Sequence, residues 1–123
     1  MKNTNLEFED IIGRYFNLNV KKQNYRIYVE EAGKGTPLLC LHTAGSDGRQ
    51  FRHILNDKKI TDNYRVIVFD LPWHGKSNPP EGYELNDYKL TTDLYKQIIM
   101  SFCEQYELKS CLLYTSDAAD EKV

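Results

Sequence analysis

Two short apolar runs constrain this chain more than any other feature: Pro37-Leu38-Leu39-Cys40-Leu41, and Val66-Ile67-Val68-Phe69 within Tyr64–Phe69. A strand with one wet face alternates apolar and polar residues, whereas a strand covered on both faces does not. Neither run alternates, and the second is rich in β-branched residues, which favour a pleated surface. Both therefore predict strands of a parallel sheet that is buried on its two faces.

Such a sheet needs helices to cover it, and the sequence supplies them. Arg49–Leu55 is a plausible helix behind a glycine-containing turn. A longer helix is expected over 88–106. There Leu94, Ile98 and Phe102 recur every four residues, with Tyr95, Ile99 and Tyr106 beside them, making one apolar stripe. Asn86 or Asp87 is placed to cap it. Upstream, Tyr15–Val20 and Tyr25–Val29 do alternate, and the polar stretch Lys21–Asn24 between them makes a hairpin. Residues 3–13 are compatible with a short helix. A hairpin followed by strand, helix, strand, helix is an α/β fold with a parallel core.

Composition narrows the function classes. Apolar residues make up 41% and charged residues 28%, with a net charge of −2, so no basic face advertises nucleic acid. No apolar run approaches the roughly 18 residues needed to cross a bilayer. The N-terminus lacks the apolar stretch of a signal peptide, so a cytoplasmic protein is expected. Cys40, Cys103 and Cys111 form neither a CxxC pair nor an even set for disulfides. Gly33-Lys34-Gly35-Thr36 lacks the upstream glycine of a phosphate loop and precedes a strand rather than following one. His42, His53, His74 and Asp70 show no HExxH spacing, and neither a metal nor any other cofactor is expected.

Chemistry is expected where the two buried strands end. Ligands of open parallel sheets sit beyond the carboxyl ends of strands. The first strand runs into His42-Thr43-Ala44-Gly45-Ser46-Asp47-Gly48. Small side chains there leave backbone N–H groups able to stabilise a developing oxyanion. The second strand runs into Asp70-Leu71-Pro72-Trp73-His74-Gly75-Lys76-Ser77. An aspartate just past a strand commonly bonds nearby backbone N–H groups, and a loop histidine is commonly structural.

Together, the stretches 38–45 and 66–77 resemble the α/β-hydrolase family. The first is similar to that family's strand followed by a His-Gly-x loop, and the second to its Asp-x-Pro-Gly-His-Gly-x-Ser loop. The resemblance runs from about residue 14 to residue 110 and implies the N-terminal half of the fold: an antiparallel hairpin, then parallel strands with helices. It implies that the backbone N–H of Ala44 is one oxyanion donor, the other coming from the residue after the nucleophile. It implies that Thr43, Gly45 and Trp73 face substrate, and that His42, Asp70, His74 and Gly75 hold the loops in shape. The family's triad comes later in the chain, in the order nucleophile, acid, histidine. Two residues depart from the pattern, Thr43 and Trp73, each standing where glycine is usual. Trp73 either walls the pocket or packs beneath a cap domain.

In this fold the helix over 88–106 leads to a strand that ends in the nucleophile elbow, G-x-S-x-G. Ser116 lies about where that nucleophile is due, with Ala118 two residues on. Tyr114, however, occupies the first glycine position, where a bulky side chain fits poorly. Asp117 would bring a carboxylate to the oxyanion site, and no histidine follows Ser116. Separately, Cys111–Glu121 resembles the translation of a transposon-end adapter used in sequencing libraries. That resemblance implies an N-terminal hydrolase fragment over residues 1–110 and a non-native tail over 111–123, truncated before the elbow. Residues 111–115 retain β propensity, and a strand there would be an unpaired edge prone to association.

The expected function is thus that of a fragment of a hydrolase. The whole enzyme would cleave an ester, thioester, lactone or carbon–carbon bond of a small molecule, and the fragment alone would be inactive. The rival is a non-catalytic module of the same fold, acting as a small-molecule receptor or scaffold. A working elbow and a late histidine in the full-length protein discriminate the two.

Overall fold

The computed structural model describes residues 6–43, 46–78 and 91–115. Five strands form one sheet: β1 (Ile12–Val20), β2 (Gln23–Ala32), β3 (Thr36–Leu41), β4 (Tyr64–Phe69) and β5 (Leu112–Thr115). Their order across the sheet is β1-β2-β4-β3-β5. β1 and β2 are an antiparallel hairpin, β2 meets β4 antiparallel, and β3 lies parallel to both β4 and β5. A 3-10 turn at Gly48–Phe51 leads into α1 (Arg52–Leu55), and α2 (Lys58–Thr61) follows before β4. The long helix α3 (Thr92–Gln105) joins β4 to β5.

The unbroken apolar runs have a direct physical cause. In β3 and β4, alternate side chains enter two different cores. Leu39, Leu41, Ile67 and Phe69 pack on the side of α3 with Ile98 and Phe102. Cys40, Val66 and Val68 pack on the other side with Phe51, Ile54 and Leu55. From β3 the chain goes to β4 on one side, then crosses to β5 on the other. The sequence order therefore reverses around β3, and a crevice is expected beyond its carboxyl end.

Several local expectations are corrected. The described part of 3–13 is not helical: residues 6–11 are irregular and β1 begins at Ile12. Leu6 and Phe8 are exposed, and a short helix without a packed apolar face is not stable in water. The hairpin loop is shorter than expected. It consists of Lys21 and Lys22 alone, both at positive φ (51° and 67°), the handedness that matches strand twist in two-residue loops. The helix α3 starts at Thr92, later than expected, because the Thr91 side chain accepts a hydrogen bond from the Leu94 N–H and caps it. The candidate caps Asn86 and Asp87 lie outside the described residues.

Candidate functional site

The loops after β3 and β4 meet at the carboxyl end of the sheet, and His42 joins them. His42 is buried, and its Nε2 accepts a hydrogen bond from the backbone N–H of Leu71 at 3.0 Å. A backbone N–H can only donate, so Nε2 carries no proton. The neutral ring therefore bears its proton on Nδ1, which donates to the Thr43 carbonyl at 2.7 Å. Burial pushes the imidazole below its ordinary value, and nearby His74 acts in the same direction. The Thr43 carbonyl, Asp70 and Asp47 oppose the shift without reversing it. The Thr43 carbonyl also accepts from the Ser46 N–H at 3.0 Å, and the Thr43 N–H donates to Gln50 Oε1 at 3.1 Å.

Asp47 anchors the far side of the first loop. Its Oδ1 accepts from the Arg49 N–H at 2.9 Å, and its carboxylate pairs with the Arg49 guanidinium at 2.8 Å. The Arg49 side chain is the main reason that the Asp47 carboxyl is held down to about 2. Gln50 and Asp47 thus fix the loop from the 3-10 turn, two roles that the sequence reading did not assign. An aspartate directly before Gly48-Arg49 is a helix-start signal that marked Asp47.

Asp70 fixes the second loop with both carboxylate oxygens. Oδ1 accepts from the Gly48 N–H at 2.6 Å and Oδ2 from the Lys76 N–H at 2.9 Å. The loop between them comes so close that a Cβ on Gly75, itself at φ 52°, would overlap the Asp70 carboxylate. Ser77 completes the frame. Its hydroxyl donates to the Asp70 carbonyl at 2.6 Å and accepts from the Tyr28 N–H at 2.9 Å. His74 Nδ1 lies 2.9 Å from the Pro72 carbonyl oxygen, and the His74 ring centroid is 5.0 Å from that of His42.

Trp73 is on the same loop at φ 72°, a left-handed conformation that favours glycine, and its residue is 44% exposed. The residue thus stands partly exposed on the loop that follows the carboxyl end of β4. Thr43 is half-buried. Ala44 and Gly45, and likewise Ser116, Asp117 and Ala118, lie outside the described residues.

The cysteines offer no thiolate nucleophile among the described residues. Burial raises the Cys40 thiol to about 12 and the Cys103 thiol to about 11, and it raises Cys111 as well. No cluster of three or more histidine, cysteine or acidic residues is placed to hold a metal ion, among the described residues. A cavity of about 240 Å³ lies between Tyr28, Asp47, Arg52, Asp70 and Lys76, and neither Thr43 nor Trp73 lines it. No described helix is long and apolar enough to cross a membrane.

No family model matches the chain. Solved structures do. An N-acyl homoserine lactonase complexed with N-butanoyl homoserine is 30% identical, with a TM-score of 0.66 over 81% of this chain and 35% of that one. An epoxide hydrolase from Vigna radiata is 20% identical, with a TM-score of 0.67 over 89% of this chain and 33% of that one. A haloalkane dehalogenase from Agrobacterium tumefaciens C58 is 18% identical, with a TM-score of 0.64 over 84% and 32%. The sheet is the N-terminal part of the α/β-hydrolase fold. The chain spans about a third of the length of these α/β-hydrolase structures. The sequence order of its strands, the switch around β3 and the two loops at the carboxyl end are the portion of the α/β-hydrolase sheet that this chain contains.

Proposed function

We propose that residues 1–110 are the N-terminal part of a hydrolase acting on a small molecule, and that residues 111–123 are a non-native tail. One observation carries this reading most: His42 and Asp70 lock two loops together at the carboxyl ends of β3 and β4. In this fold one oxyanion donor comes from the loop after the strand corresponding to β3. Ala44 is the residue in that place, and its backbone N–H is proposed as the donor. Thr43, Gly45 and Trp73 are proposed to face substrate, while His42, Asp70, His74 and Gly75 hold the two loops.

The reaction proposed for the whole protein is attack by a nucleophile, stabilisation of the resulting oxyanion by fixed N–H donors, and release by water. An ester or lactone bond is favoured over a carbon–halogen bond, because identity is 30% with the lactonase and 18% with the dehalogenase. The 123-residue chain itself is proposed to be inactive. Its last histidine is His74, so no base follows Ser116, and Tyr114 occupies the position where an elbow needs a small residue.

The test is recovery of the full-length coding sequence, followed by turnover of a chromogenic short-chain ester and of an N-acyl homoserine lactone. Labelling by a serine-directed phosphonate at an elbow beyond residue 110 supports the reading. A full-length protein with no elbow and no late histidine, or with both but no labelling, overturns it. Ester turnover by the purified 123-residue chain that is lost in Ser116→Ala overturns the assignment of the tail.

A further inference from the structure

We propose that His42 is an acid-sensitive clip between the loop after β3 and the loop after β4, and that protonating it breaks the tie that its ring makes to the Leu71 N–H. The geometry is a two-sided lock. Nε2 accepts from the Leu71 N–H of the second loop, and Nδ1–H donates to the Thr43 carbonyl of the first. Only the neutral ring with its proton on Nδ1 makes both bonds. A protonated ring carries N–H on both nitrogens, so Nε2–H would face the Leu71 N–H as donor against donor. Leu71 is itself buried, so its N–H has no recourse to water while the loops stay together.

The surroundings oppose a charge on the ring. Burial is the largest influence, and His74, whose ring is 5.0 Å away, adds to it. Asp70 on the second loop and Asp47 at the start of the 3-10 turn favour the charged ring. Both carboxylates are already committed to other donors, Asp70 to Gly48 and Lys76, Asp47 to Arg49. The open form takes up a proton at the ordinary histidine value of about 6.5, and the closed form only at lower pH. The ratio of closed to open therefore falls about tenfold per pH unit below that value, until the closed form itself protonates. The clip stands on its own geometry. Its bearing on catalysis rests on the reading above, because the first of these loops carries the proposed oxyanion donor.

The test uses the 123-residue chain and two NMR measurements. Long-range nitrogen–proton spectra read the tautomer and titration of the His42 ring, and hydrogen exchange reads the protection factor of the Leu71 amide. The expected result is the Nδ1–H tautomer at neutral pH, and Leu71 protection that falls about tenfold per pH unit below about 6.5. His42→Gln, whose amide oxygen accepts without titrating, is expected to make that protection independent of pH over the same range. An Nε2–H tautomer, or Leu71 protection in the parent chain that does not change while His42 titrates, overturns the proposal. The parent measurement decides alone if the variant does not fold. Loss of ester turnover in the full-length protein with these NMR results intact would count against the hydrolase reading and not against the clip.

Discussion

Asp70→Asn isolates the contact that holds the second loop to the 3-10 turn. The native carboxylate is buried and accepts two backbone hydrogen bonds, from Gly48 at 2.6 Å and from Lys76 at 2.9 Å. Hydrogen bonds to a charged group contribute about 1.5–3 kcal/mol each. Asparagine keeps the shape and one oxygen, but its NH₂ group must face one of the two N–H donors. One bond is lost, the other loses its charge assistance, and a buried donor is left without a partner. The expected destabilisation is about 2–3 kcal/mol, with a larger loss of about 3–6 kcal/mol for Asp70→Ala, which removes both acceptors. Asparagine is the better probe, because a small domain has only about 5–15 kcal/mol in total. In urea, with a slope of about 1.5 kcal/mol per molar, the midpoint should fall by roughly 1.3–2 M at unchanged slope. A midpoint within about 0.3 M of the parent would show that the paired acceptors do not hold the loop, since a loss of 2 kcal/mol could not hide there.

Three further outcomes follow from the same geometry. Gly75→Ala should destabilise by more than about 1 kcal/mol, because the added Cβ meets the Asp70 carboxylate at a backbone already at φ 52°; an unchanged thermal midpoint would contradict this. Glu107 occupies the left-handed position that ends α3 at φ 60°, with the Leu108 N–H bonded to the Cys103 carbonyl and the Glu107 N–H to the Glu104 carbonyl. Glu107→Gly should stabilise by about 1 kcal/mol; Glu107→Ala, which removes the charge but not the strain, should gain less, and equal gains would assign the effect to charge. Stability should also fall in two steps with acid. His42 has a lowered value when folded, so the unfolded chain takes the proton first, and stability drops below about 6.5 by at most about 1.4 kcal/mol per pH unit. Asp47 is also lowered, so its contribution is present above about 3.8 and is lost towards about 2. Denaturant midpoints measured against pH for the parent and His42→Gln check the first step, which the variant should lack.

How legible the molecule was depends on where its constraints lie. β3 and β4 could be read because both of their faces are buried, which leaves a mark on every residue. The stripe of α3 was legible because one face, with Ile98 and Phe102, is buried and the other is not. α2 was not, since it buries no residue and leaves no pattern. The order β1-β2-β4-β3-β5 is set by contacts far apart in sequence, which periodicity does not record. The resemblance carried by residues 38–45 and 66–77 implied an antiparallel hairpin followed by parallel strands, but not this order. At the site, His42 and Asp70 were visible as residues, but their partners were not. Leu71 and Gly48 take part through backbone N–H groups, which any sequence supplies.

Positive φ at residues other than glycine is the remaining blind spot, and it bears on the site most directly. Lys21, Lys22, Trp73, Glu107 and Ser110 all adopt it. Four of these lie in the hairpin loop or around the end of α3, where a strained residue costs some stability and little else. Trp73 differs. It is the bulkiest of the five, it lies on the loop locked by Asp70 and His42, and the residue is substantially exposed. A strained conformation persists only where its surroundings over-determine it. Here they do: His74 N–H bonds to the Leu71 carbonyl, Ser77 N–H to the His74 carbonyl and Lys76 N–H to Asp70, which fixes the chain beyond Trp73 whatever residue stands there. The loop thus keeps the backbone track that a glycine would allow while adding a large aromatic surface. On the proposed reading, in which Trp73 faces substrate, that is how a change of specificity would enter this scaffold without altering the fold that carries it.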